Sequence, residues 1–315
     1  MIVAFGLGLF AALLSVVAPR VLRSMMLAAS PRVMAAAWLT CITAVVFLAG
    51  CAVLVSVWPG HASVVETVET TMVCLTAFLH TAPAWSINPC AVLGAVVAAA
   101  VTGRLAVTAR RLSRAGARIR AYHRDVIAVV ARITEDVVPV MWLDHPLPLA
   151  YSVDGRPGII VATDGLARSL TEPQRRAVLA HEHAHLRGHH HLMIRICAVM
   201  AAALPWIPLF AAAPRAVATL VELDADEIAA TATSRPAMCG ALRAVSESAS
   251  TEHSGLASFG NEVVALRLRR LESASGSTPQ RFSAVVALCL PATLAAGIAA
   301  ASIAGMGGIA CLLLP

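Results

Sequence analysis

Long apolar runs alternate with polar segments along this chain, and the polar segments differ sharply in charge. Met1 to Val17 is one apolar run, Val33 to Trp58 a second and Pro89 to Val107 a third. Each reaches the roughly 17–20 residues that a helix needs to cross a hydrocarbon core, and the second is long enough to cross with tilt. Phe282 to Pro315 carries no charged residue, and a last span is expected near Ala284 to Gly305. No basic residue precedes the first run and Arg20 and Arg23 follow it, the reverse of a cleavable leader, so it is expected to be a retained span. The loop with Arg20, Arg23 and Arg32 is basic, Pro59 to Asn88 holds Glu66 and Glu69 but no basic residue, and Arg104 to Arg120 contains six arginines. Positive charge stays inside, which predicts an outside N-terminus and a cytoplasmic chain after Arg104.

From Arg110 to Arg187 the pattern becomes that of a folded polar domain, with charges interspersed and turns marked by Pro146, Pro148, Gly155, Pro157 and Gly158. Arg110 to Ile133 reads as an amphipathic helix leaving the membrane, and Gly158 to Ala162 as a short strand after the Asp154-Gly155 turn. Thr171, Pro173 and Gln174 form a capping-box start for a helix that runs into His181. Leu192 to Ala213 is apolar apart from Arg195. Beyond it, Glu222 to Ala232 reads as a helix, Ser246 to Ser258 as a polar loop, Val263 to Leu271 as a basic helix and Ser273 to Gln280 as a linker.

Composition agrees with this division. Of 315 residues, 58% are hydrophobic and 13% charged, with mean hydropathy +0.77. Soluble domains carry roughly 25% charge, so a water-soluble globule is excluded. The net charge of +6 comes from arginines beside apolar runs, with no basic stripe on a nucleic-acid-binding motif, so nucleic acid is not an expected partner. The eight cysteines form no CxxC pair and mostly sit in apolar stretches; only Cys74 and Cys90 flank the loop expected outside.

The chemistry is concentrated in His181-Glu182-His183-Ala184-His185. Residues four apart on a helix lie about 40° from each other around the axis, so His181 and His185 can offer imidazoles to one ion. Glu182, rotated by about 100°, can stand beside the ion and take a proton from water. A catalytic zinc site needs a third protein ligand. Glu222, in the ExxxD segment Glu222 to Asp226 that begins 37 positions after His185, is that ligand in this reading. Asp226, one turn on, would accept the free N–H of a ligating histidine. HExxH alone recurs by chance; the capped helix and the ExxxD helix narrow it to a metal site. Asp224 and Glu227 read as solvated charges, His189 to His191 as a polar collar, and His183 as pointing away from the ligand pair.

The two halves of the site constrain the segment between them. As one straight helix, Leu192 to Ala213 would run about 33 Å and cross the bilayer, leaving Glu222 on the opposite face from the histidines. Pro205 and Pro208 can break it. A re-entrant or surface-lying hairpin over 192–214 is therefore expected, with the metal close to the cytoplasmic membrane face; the alternative is an accidental ExxxD and an ordinary fourth span.

The order of strand, HExxH helix, apolar hairpin and ExxxD helix, with Leu170-Thr171-Glu172 leading into the motif, resembles the BlaR/MecR-type membrane metallopeptidases. HtpX-type and CAAX-processing membrane peptidases share HExxH and ExxxD. The resemblance implies a mainly α polytopic membrane protein with a cytoplasmic α+β gluzincin domain, a small sheet plus the HExxH helix. It divides the chain into a three-span membrane region (1–108), the zinc peptidase domain (109–281) and a C-terminal span (282–315). It implies Zn2+ on His181, His185 and Glu222, with Glu182 as general base and Asp226 behind the ligands. The large extracellular penicillin-binding domain of antibiotic-sensing members is not in this sequence, so β-lactam sensing through such a domain is not expected. Ile159, Ile160, Val161 and Ala162 form the candidate edge for an extended substrate.

The implied function is zinc-dependent hydrolysis of a cytoplasmic or juxtamembrane protein, a transcriptional repressor or signalling partner among the candidates, by an enzyme in contact with membrane lipid. Two alternatives stand beside it: a quality-control or processing protease of HtpX or CAAX type, and a non-catalytic metal-binding membrane protein. The third would need polar residues along several spans, and these spans hold almost none.

Overall fold

A computed structural model describes residues 2–26, 29–57, 89–134, 139–155, 157–252 and 257–273. The expected span near 284–305, the loop with Glu66 and Glu69, and Cys74 lie outside the described residues. Among the described residues, three helices are long and apolar enough to cross a membrane: α1 (Ile2–Ser24), α2 (Pro31–Val57) and the N-terminal part of α3 (Pro89–Val130). The basic helix expected over 110–133 is the continuation of α3, which runs for 42 residues before the chain turns into a strand. Its Arg110–Arg124 stretch contains no proline, so the helix passes uninterrupted from apolar to basic composition.

The sheet has four short strands, β1 (Arg132–Thr134), β2 (Val140–Leu143), β3 (Ala150–Val153) and β4 (Ile159–Thr163), in the order β1-β2-β4-β3. β4 runs parallel to β2 and antiparallel to β3. Every residue of β4 is buried, as the continuous apolar run Ile159 to Ala162 predicts for a strand covered on both faces. This corrects the substrate-edge expectation: Ile159, Ile160, Val161 and Ala162 lie in an inner strand whose backbone is paired on both sides. The free edge on that side of the sheet is β3.

Thr163 caps the short helix α4 (Asp164–Ser169) by accepting the Leu166 N–H at 3.2 Å. In α5 (Glu172–Arg187) the Gln174 side chain accepts the Thr171 N–H at 2.9 Å, as the capping pattern predicts. Two helices follow, α6 (His190–Ala203) and α7 (Pro208–Ala232), packed against each other as a hairpin. The break falls at Leu204 to Ile207, between the helix-ending Pro205 and Pro208 at the first turn of α7. Arg104 of α3 donates to the Ala203 carbonyl at the end of α6, and its guanidinium lies 5.2 Å from the Trp206 ring centroid.

The return limb of the hairpin and the ExxxD helix are one continuous element. α7 is the central helix, in contact with α1, α2, α5, α6 and the two helices that follow, α8 (Arg235–Glu252) and α9 (Ala257–Glu272). Its first half is buried among α1 and α2 through Leu209, Phe210, Ala213, Ala216, Val217 and Leu220, which meet Leu22, Met34, Trp38 and Ile42. Small residues at this seam, among them Ala18, Ala35, Cys41, Ala213 and Ala216, let the helices approach closely. Residues 246–252, expected as loop, continue α8, and the basic helix begins at Ala257.

Candidate metal centre

α5 and α7 cross so that the two imidazoles meet the Glu222 carboxylate. Nε2 of His181 and Nε2 of His185 are 3.1 Å apart, and each lies 3.5 Å from one oxygen of Glu222. Ligands arranged tetrahedrally at about 2.0–2.1 Å from a centre are about 3.3 Å from one another. The spacing and the two-nitrogen, one-carboxylate donor set therefore fit a divalent metal ion. Both histidines are buried, while the Glu222 side chain is 34% exposed toward a cleft of about 250 Å³. Glu182 lines the same cleft, together with Ala150, Val178, Ala241 and Arg267.

The groups behind the ligands form two sets. Oδ1 of Asp226 lies 3.0 Å from Nδ1 of His181, off the line of a straight N–H···O bond. Arg267 of α9 donates to both oxygens of Asp226 at 2.7 Å and reaches Glu222 at 3.1 Å. On the other side, Nδ1 of His185 meets Nδ1 of His190 at 3.1 Å, and Nε2 of His190 meets Asp224 at 3.3 Å. His191 lies 3.1 Å from the Ser152 hydroxyl of β3.

These contacts set the protonation of the clustered side chains. Burial pushes His181 down, but the Asp226 and Glu222 carboxylates outweigh it and raise His181 to about 9. Burial and then the positive field of His181 lower His185 to about 3. Burial alone would raise Glu222, yet His181 and Arg267 bring it down to about 2. Asp226 is likewise lowered, its burial outweighed by Arg267 and His181. Glu182 goes the other way: burial raises its pKa, only partly offset by His181 and by Ser152, which hydrogen-bonds it. A carboxyl with a raised pKa beside the ligand cluster is suited to carrying a proton.

The structure thus brings together His181, Glu182, His185, Glu222 and Asp226, and leaves Ile159 to Ala162 in the sheet interior. Asp224 is not a solvated charge and His190 is not a collar residue: both are buried, and they meet. Arg267 was hidden in a segment legible only as a basic helix. Its signal was charge balance, because three carboxylates around one dication leave a buried negative charge that a guanidinium on a neighbouring helix cancels.

Two imidazoles and a carboxylate brought together by two helices beside a small sheet, with Glu182 in the same open cleft, have the donor set of a metallopeptidase-type site. The comparison with known families agrees: residues 113–265, just under half of the chain, match the model of Peptidase family M48, which supports placing this region among the M48 metallopeptidases. No solved structure matches the chain.

Proposed function

We propose that this protein is a membrane-embedded zinc endopeptidase of the BlaR/MecR type that cleaves a cytoplasmic or juxtamembrane regulatory protein, a repressor or signalling partner. In this reading residues 109–281 are the catalytic domain, 1–108 and 282–315 hold it in the membrane, and the 192–214 hairpin is seated among the spans. The observation that carries the reading is the near-tetrahedral meeting of His181, His185 and Glu222 with Glu182 in the same cleft. Zinc bound by those three residues would acidify water and polarise the scissile carbonyl.

The remaining roles fall to the chain itself. Glu182 takes the proton of the attacking water and delivers it to the leaving amine, a task matched to its raised pKa. Asp226 and Arg267 hold His181 and Glu222 in place. The substrate backbone lies along β3. Ile160 gives its N–H to Pro139 on the β2 side, so its cross-strand partner Ser152 turns its own N–H and C=O toward the open edge, where Ser152 meets Glu182.

Glu182→Gln tests the proposal. The purified variant is expected to retain one zinc per chain while turnover falls about 10²–10⁴-fold, the usual contribution of a general base. New protein N-termini in cells carrying the native or the Glu182→Gln form should then differ at one or a few cleavage sites. Broad differences would favour the processing reading, and a variant that behaves as native would defeat the enzymatic reading altogether.

A further inference from the structure

His185 presents two ring nitrogens to two different neighbourhoods. Its Nε2 faces His181 and Glu222, and its Nδ1 faces Nδ1 of His190 at 3.1 Å. A neutral imidazole has one N–H donor and one lone pair. If Nε2 gives its lone pair to an ion, Nδ1 carries the hydrogen and must donate it. His190 Nδ1 is then the acceptor, and the hydrogen on His190 Nε2 points to Asp224 Oδ2, 3.3 Å away. The protons have one consistent order, from His185 to His190 to Asp224. We propose that His190, anchored by Asp224, is a positioning residue that fixes the tautomer and ring orientation of the metal ligand His185.

The backbone around His190 is built for this contact. His189, between α5 and α6, has φ 52° and ψ 34°, the one positive φ among the described non-glycine residues. Side chains other than glycine reach this region at a cost of about 1–2 kcal/mol, and such strain concentrates at functional sites. The sharp turn folds the start of α6 back against the metal face of α5. Gly188 before it has no room for a side chain, since a Cβ there would stand 2.4 Å from His190 Nε2 and 3.0 Å from the Ala184 carbonyl. The His190 side chain is 2% exposed and that of Asp224 is 13% exposed, so water does not replace either contact.

The arrangement also accounts for the spacing of acids on α7. Glu222 and Asp226 lie one turn apart and face the site, whereas Asp224 is about 200° around the helix from Glu222. A carboxylate there has no direct line to a ligand, and the His190 ring spans the gap. Each ligating imidazole is therefore backed by a carboxylate of the same helix, His181 directly by Asp226 and His185 through His190 by Asp224.

This inference rests on the metallopeptidase reading, and its test separates the two. Zinc affinity is measured by chelator competition on the full-length protein in detergent, with the visible spectrum of the cobalt-loaded protein as a second readout. His190→Asn keeps an acceptor near the Nδ1 position; His190→Phe fills the space without one. A positioning role predicts that Phe weakens zinc binding about 10–100-fold and shifts the cobalt bands, while Asn stays within about threefold of native. A packing role predicts the opposite order. Native affinity in the Phe variant, or Asn as weak as Phe, would overturn the proposal. Should the Phe variant fail to fold, Asp224→Leu replaces it with the same expected weakening, and native affinity in that variant would overturn the proposal equally. Native protein that binds no zinc would instead remove the metallopeptidase reading itself.

Discussion

His181 and His185 stand one turn apart on the same helix and titrate in opposite directions, to about 9 and about 3. Near neutral pH, then, His181 is the imidazole of this pair that carries the extra proton and His185 is neutral. An ion can bind only when that proton leaves, so protons compete with metal throughout the range in which His181 is protonated. The sign follows from the raised pKa: affinity is weakened at low pH, rises about tenfold per pH unit through neutrality, and levels off above about 9. Zinc added to metal-free protein in weakly buffered solution at pH 7 is expected to release close to one proton per site. Asp226→Asn removes one of the carboxylates that hold His181 up and should reduce that release. An affinity independent of pH between 6 and 8 would show that His181 is not the group displaced.

At the scale of elements, the substrate edge depends on how strands are paired, which no single strand's composition reveals. The apolar run Ile159 to Val161 marked a strand correctly; its burial on every residue is what an inner strand requires and an edge strand does not. The helix pair bearing the candidate ligands was legible because HExxH and ExxxD both repeat at the turn of a helix, and the break between α6 and α7 was legible because Pro205 and Pro208 lie at it. The His190–Asp224 contact was not legible: it depends on one left-handed residue at His189 and on a side chain that leaves α7 away from Glu222. The same pairing logic gives a test of β3. Ala150 pairs with Ala162, two residues from the outward-facing Ser152, so its N–H also faces the open edge. Ala150→Pro removes that donor without breaking the β3–β4 ladder, and Pro is tolerated on edge strands. Peptide turnover is expected to fall about tenfold, the value of roughly one hydrogen bond, with zinc content unchanged. Unchanged kcat/KM would place the substrate elsewhere.

For the molecule as a whole, the decisive contact is between the α1–α2 turn and α9. Arg270 of α9 donates to the Ala29 carbonyl at 3.0 Å, in the turn between α1 and α2. That turn is flanked by Arg20, Arg23 and Arg32, and α7 runs from the α1–α2 seam to Glu222 without interruption. If α1 and α2 cross the membrane, the basic turn and the metal site must lie on one face of it, and by the positive-inside rule that face is the cytoplasm. The sequence contains no lysine, which makes a single introduced lysine a unique side-chain amine. Arg23→Lys and, separately, Arg168→Lys place such an amine at two exposed positions, one in α1 beside the turn and one in α4 ahead of the HExxH helix, without changing charge. A membrane-impermeant amine reagent is expected to label both in inside-out vesicles and neither in right-side-out cells, as read from the modified peptides. Labelling from opposite sides would mean that α1 and α2 do not span as read, because a guanidinium-to-carbonyl hydrogen bond of 3.0 Å cannot reach across a bilayer core of about 30 Å.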